Sequence, residues 1–250
     1  MTTTPAHPKQ TARAHVLGVA VDCLDMKAVL ALLESFVAKG TPHLVITADS
    51  SGIVQAQSDP DLKSLYERAA LVTADSNGVL WAINRKRPCL KERVSGVDIG
   101  DRVCALSADK GYRIFFLGGA PGVAELAAEK MKLRYPGCNI VGARHGFFPA
   151  ESDLIVAEEV AKSKPDFLFV GMGIPRQEKF IASTMEVIQA KVGIGVGGSF
   201  DVFSGKAKRA PKLVQKMKLE WLWRTVLNPK KISKAKLLPK FALMVLREKH

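Results

Sequence analysis

The sequence contains no apolar run of membrane-spanning length. The longest uninterrupted run near its end is Phe241–Leu246, six residues against the roughly 20 that a helix needs to cross hydrocarbon. A spanning protein is therefore not expected, although one lying on a membrane is. Met1–Ala14 is polar and lacks the apolar core of a signal peptide, so secretion is not indicated. Cysteine is scarce and dispersed. Cys23, Cys89, Cys104 and Cys138 form no C-x-x-C pair and have no histidine cluster nearby. That spacing argues against a zinc site or a disulfide framework and favours reduced thiols in a cytosolic protein. The G-x-G-x-x-G dinucleotide fingerprint is also missing.

Acidic residues are scarce in one region only. Residues 205–250 carry 14 Lys/Arg against 2 Glu, whereas residues 1–204 carry 23 against 22, so almost the whole net charge of +13 sits at the end of the chain. A near-neutral body with a cationic appendage points to chemistry in the body and an anionic surface or substrate met by the tail. A hydrophobic content of 47% in 250 residues supports one large folded domain and excludes wholesale disorder.

Short β-branched runs alternate with helical patterns. Strands are expected at Val16–Val21, Leu44–Thr47, Leu71–Ala74, Arg113–Leu117, Ile140–Ala143, Phe167–Gly171 and Val192–Val196. Helices are expected at Met26–Lys39, Asp59–Ala69, Val79–Asn84, Val97–Ala108, Val123–Tyr135, Ser152–Ser163 and Pro175–Ile188. This alternation predicts an α/β fold: a Rossmann-like, mostly parallel sheet with helices on both faces, plus a basic helical C-terminal appendage. The expected units are a polar leader (1–14), an α/β catalytic domain (15–204) and a cationic appendage (205–250). The appendage reads as two helical pieces divided at Asn228-Pro229. In the second, Leu237, Phe241, Met244 and Val245 form an apolar stripe suited to a membrane surface, and Pro239 kinks or restarts the helix.

Ligands of such sheets lie beyond the carboxyl ends of the strands, and the motifs fall there. Gly118-Gly119-Ala120-Pro121-Gly122 follows a strand, with Pro121 near the first turn of a helix. It reads either as a diphosphate-binding loop or as a tight strand-to-helix turn. Asp75, at another strand end, is placed for a general base, though on local pattern a helix cap or Asx-turn is the commoner use of such a residue. Asp59-Pro60-Asp61 resembles a D-x-D metal motif, but Pro60 at a first helical position makes the cap the better reading, and no metal is assigned. Trp221 and Trp223 among lysines fit a core stripe, a membrane anchor or a nucleic-acid surface equally.

Together these segments resemble the WecG/TagA/CpsF family of bacterial glycosyltransferases over about residues 15–230. The similarity runs in order through Leu44–Asp49, Asp59–Ala69, Ala74–Val79, Arg93–Asp98, Phe116–Ala124, Gly171–Glu178, Gly195–Asp201, Arg209–Pro211 and Leu219–Arg224. The resemblance implies an inverting transferase, independent of metal and cofactor, that moves a sugar, typically N-acetylmannosamine, from a UDP-sugar donor. Its acceptor is N-acetylglucosamine on undecaprenyl diphosphate, met on the inner face of the cell membrane. Asp75 would be the base. Thr47, Arg93 and Gln177 would line the cleft, and Asp201 would serve the nucleotide. Asn77, Gly118, Gly119, Gly173 and Gly198 complete the expected binding set, with Arg209 and Arg224 reaching over the diphosphate. Asp49 and Ser76 stand where the family usually has Asn and Gly, so a second carboxylate is expected in the cleft. The expected partners are the two substrates and an anionic membrane surface, not nucleic acid, with self-association open. Two rivals remain at this point: a nucleotide-binding oxidoreductase and a nucleic-acid-binding module using the basic tail.

Overall fold

A computed structural model describes residues 12–207, Pro211, Trp223 and residues 237–248. Its centre is a six-stranded, wholly parallel sheet of β3 (His43–Ala48), β4 (Leu71–Ala74), β5 (Ile114–Gly118), β6 (Ile140–Arg144), β7 (Phe167–Gly171) and β8 (Val192–Gly195). The spatial order is β4-β3-β8-β7-β5-β6. The inner strands are apolar along their length because both faces are covered. One face packs against α1 (Met26–Lys39), α5 (Gly96–Lys110), α6 (Val123–Arg134) and α9 (Ser199–Phe203). The other packs against α2 (Ser50–Ala56), α3 (Pro60–Arg68), α4 (Asn77–Lys86), α7 (Asp153–Ala161) and α8 (Arg176–Ile188). The α/β expectation is met.

Helix boundaries follow local chemistry. Asp59 caps α3 by accepting the Leu62 N–H, with Pro60 in the first turn, which is the capping role expected of that motif. Gly40 and Gly111 end α1 and α5 in the left-handed conformation. The short helices α2 and α9 were not expected, since five to seven residues give too little periodicity to read.

Three expectations need correction. The single strand Val16–Val21 is an antiparallel hairpin of β1 (Arg13–Val16) and β2 (Val19–Asp22). Leu17 and Gly18 both have positive φ (51° and 77°), as a two-residue hairpin turn requires. Buried Asp22 pairs with Arg13 at 2.8 Å and accepts the Val72 N–H at 2.9 Å, fixing the hairpin to edge strand β4. Second, Cys23 and Cys89 are not reduced thiols but a disulfide with Cα atoms 5.7 Å apart; Cys104 and Cys138 are free and buried. Sequence spacing could not reveal the pair because the residues, 66 positions apart, meet only after folding.

The third concerns the tail. Helix α10 spans Leu237–Arg247 and includes Pro239. Its apolar stripe faces the body: Phe241 and Val245 are 2% and 1% exposed, inside the core beneath α2 and α4, with Leu237 and Met244 packed alongside. The outward apolar residues are instead Leu243 and Leu246. The stripe is taken up by burial against α2 and α4. The expected first piece of the appendage, apart from Trp223, lies outside the described residues. No described helix is long and apolar enough to cross a membrane.

Candidate active site

Strand register brings the motifs to one edge. Ala48 pairs with Ala74, Gly118 with Gly171, and both Ile46 and Val170 with Gly195. The loops leaving β3, β4, β5, β7 and β8 therefore open on the same side, beyond the carboxyl ends of the strands.

On the β3–β4 side, Asp75 is half-buried, with its N–H on the Ala48 carbonyl at 2.9 Å. The cap of α4 is Ser76, whose Oγ accepts the Val79 N–H at 3.3 Å. Local pattern favoured Asp75 for that cap; the structure gives the position to Ser76. Ser76 Oγ also accepts the Ser50 N–H at 3.3 Å and lies 3.1 Å from Ser50 Oγ, so the loops after β3 and β4 are tied together. Asp49 caps α2: its Oδ1 accepts from Gly52 N at 2.7 Å and Ser51 Oγ at 2.8 Å. Asn77 opens α4. Thr47 is buried and donates to the Gly195 carbonyl at 2.7 Å, joining β3 to β8. Arg93 lies between two anchors: Glu92 accepts the Met26 N–H, and the Val94 N–H binds the carbonyl of Ala74, the residue before Asp75. Ser95 and Asp98 cap α5 at its start.

The β5–β7–β8 side is made of backbone. Gly118 has φ 145°, and a Cβ there would stand 2.5 Å from the Gly171 carbonyl oxygen. Gly119 donates to that same oxygen at 2.9 Å. Ala120-Pro121-Gly122-Val123 is a hydrogen-bonded turn with Gly122 at φ 78°, ψ −4°, the geometry of a type II turn with proline second and glycine third. Helix α6 starts at Val123, as expected, and Pro121 belongs to the turn that precedes it. Gln177 is 1% exposed and acts as a strut. Its Oε1 accepts from Gly173 N at 3.1 Å and Gly197 N at 3.0 Å, and its Nε2 donates to Glu178 at 2.7 Å. That placement ties the β7 and β8 loops together through the Gln177 side chain. Gly198 precedes α9, where Phe200 and Phe203 are buried and Asp201 between them is partly exposed. Arg209 and Arg224 lie outside the described residues.

Sequence reasoning missed the floor beneath Asp49 and Asp75. Tyr66 is buried, and its phenol is held well above its ordinary pKa, first by burial and then by the nearby carboxylates of Glu178, Asp49 and Asp75. A Cβ on Gly52 would sit 2.6 Å from the Tyr66 hydroxyl and 3.4 Å from Asp49 Oδ1. Neither residue gave a signal: Glu178 stands in the polar run Arg176-Gln177-Glu178-Lys179, which does not show that it is buried, and Tyr66 reads as one more helix-face aromatic. Among the described residues no three His, Cys, Asp or Glu side chains converge as metal ligands would.

Residues 14–250 match the Glycosyl transferase WecG/TagA/CpsF family. The chain belongs to this family. It is 30% identical over 241 residues to the N-acetylglucosaminyldiphosphoundecaprenol N-acetyl-beta-D-mannosaminyltransferase of Staphylococcus aureus strain MRSA252, covering 96% of this chain and 94% of the relative. The proteins of that name from strains NCTC 8325 / PS 47 and COL give the same identity and coverage. Membership makes the protein a glycosyltransferase and removes the oxidoreductase and nucleic-acid-binding readings. The residues expected for the site fall into two groups: side chains on the β3–β4 edge, and glycine corners with Gln177 and Asp201 on the β5–β7–β8 edge.

Proposed function

We propose that this transferase moves N-acetylmannosamine from UDP to N-acetylglucosamine on undecaprenyl diphosphate, with inversion, Asp75 taking the proton from the acceptor hydroxyl. The observation that carries the reading is the end of β4, where Ser76 caps α4 and Asp75 stands half-buried at the cleft edge, one residue past the strand. The names of the relatives support the sugar and the acceptor. A carboxylate at that position accepts the proton as the hydroxyl oxygen attacks the anomeric carbon and the bond to UDP breaks on the opposite face. The departing diphosphate gains charge, and preorganised cations and N–H groups stabilise such charge best. Arg93, whose neighbour Val94 is bonded to Ala74, and Arg209 and Arg224 from the appendage are the cations we assign to it, which requires no metal. A lipid-linked acceptor places the reaction at the cytoplasmic membrane surface, where the basic appendage meets anionic lipid.

The test is transfer to a short-chain lipid-diphosphate N-acetylglucosamine acceptor from a panel of UDP-sugars, with and without EDTA. Asp75→Asn is expected to lower turnover by about 10²–10⁴-fold while UDP binding stays within twofold. Turnover within threefold of the unaltered enzyme removes Asp75 from the chemistry. A different preferred donor corrects the sugar alone.

A further inference from the structure

We propose that α10 is a positioning element for the Asp75 loop, acting through Phe241 and locked by Glu248. The proposal rests on Asp75 being the base. Phe241 and Val245, one turn apart, are sunk into the same cluster as Ile53 of α2 and Val79 and Ile83 of α4. Contact with the catalytic loop comes at Gly78, in the first turn of α4. A Cβ there would lie 3.5 Å from Phe241 Cε1 and 2.3 Å from Ser50 Oγ, so the aromatic ring closes over the place where Ser50 meets α4. Ser50 is 1% exposed, and its hydroxyl lies 3.1 Å from Ser76 Oγ, the side chain next to Asp75. The path from the last helix to the base is therefore Phe241, the Ser50–Gly78 contact, Ser76 and Asp75, each step a packed or hydrogen-bonded neighbour.

The far end of α10 is fixed by a separate device. Glu248 Oε1 accepts the Leu17 N–H at 3.1 Å, and Oε2 pairs with Lys86 Nζ at 2.7 Å. Leu17 is the left-handed residue of the hairpin turn, and its carbonyl accepts from Gln57 Nε2 at 3.0 Å. One carboxylate thus joins the hairpin, the end of α4 and the end of α10. α4 is held at its last turn by Glu248 and at its first turn by Phe241, and Asp75 precedes it by two residues. Removing the aromatic ring opens the Ser50–Ser76 pair to water, which competes for buried hydrogen bonds. The loop then gains freedom at the place where a displacement of about 1 Å costs of order 10²-fold in rate.

The experiment uses the full-length chain and a soluble acceptor analogue. Phe241→Ala is expected to lower kcat about tenfold or more while UDP affinity stays within twofold. Phe241→Leu, which refills most of the volume, should recover most of the loss. Hydrogen exchange should rise in residues 74–80 and stay unchanged in β5. Glu248→Gln, which keeps an acceptor for Leu17 but loses the Lys86 pair, should fall between. Unchanged kcat in folded Phe241→Ala, or in Glu248→Gln where the alanine variant does not fold, overturns the proposal. So does an exchange increase spread evenly over α2, β5 and β7 with a parallel loss of UDP binding, which marks general destabilisation. Asp75→Asn separates the two ideas: if it retains turnover the base assignment fails, and the exchange result in residues 74–80 alone reports whether α10 orders the loop.

Discussion

The two edges of the cleft are built by opposite means. Helices following β3 and β4 are capped by side chains, α2 by Asp49 and α4 by Ser76. Helices following β5, β7 and β8 have Gly122, Pro175 and Gly198 at the same position, and none makes a side-chain cap. Side-chain caps satisfy the first N–H groups of a helix from within and fix its entry. Glycine corners instead leave the backbone approachable and exclude side chains that would stand in the way. One edge is made to hold a functional group still, the other to let a ligand come close.

The harshest way to break this contrast is Gly118→Ala. The new methyl would meet the Gly171 carbonyl at 2.5 Å on a backbone at φ 145°. A loss of stability on the order of 4 kcal/mol is expected, measured by chemical denaturation, together with loss of UDP binding. Tolerance at that position would mean that the glycine edge is not held by close backbone approach. A milder change sharpens the other edge. Ser76→Ala removes the α4 cap and should cost about 1 kcal/mol, with turnover falling more than UDP affinity. An equal loss in both would erase the distinction between the edges. The smallest effect lies at the opposite end of β3. Burial, the leading cause, holds His43 below its ordinary pKa, with its ring stacked on Phe36 at 4.1 Å. The folded state thus resists a proton that the unfolded chain accepts, so stability is intact above pH of about 6.5 and declines as pH falls below it. His43→Phe should flatten that decline slightly in denaturation curves at pH 7.5 and 5.5, with no change in UDP binding at either pH.

The sheet was legible because its strands are short, β-branched and separated by capped helices, each a local signal. The strand-end motifs were legible for the same reason. The side-chain network between them was not. The cap at the end of β4 passes from Asp75 to Ser76 through a contact with Ser50, 26 residues earlier. Nothing local to Gln177 shows that Gly173 and Gly197 fold back onto its side chain. The α10 stripe carries the same periodicity whether its partner is lipid or protein, and only the groove between α2 and α4 decides. Leu17-Gly18 failed as a turn signal because left-handed leucine is uncommon and is held here by Gln57 and Glu248.

The Cys23–Cys89 bond closes a covalent ring of chain that contains β3, β4 and Asp75, with Arg93 four residues outside it. In the chain-entropy account, a ring closed over 66 residues stabilises the fold by about 4 kcal/mol, by restricting what the unfolded chain can explore. The half of the site that holds the base is therefore covalently closed on itself, while the glycine half lies entirely outside the ring. In a reducing compartment the ring opens, and the segment leading to Arg93 is then held by the Asn84–Leu90 hydrogen bonds and the Glu92–Met26 contact.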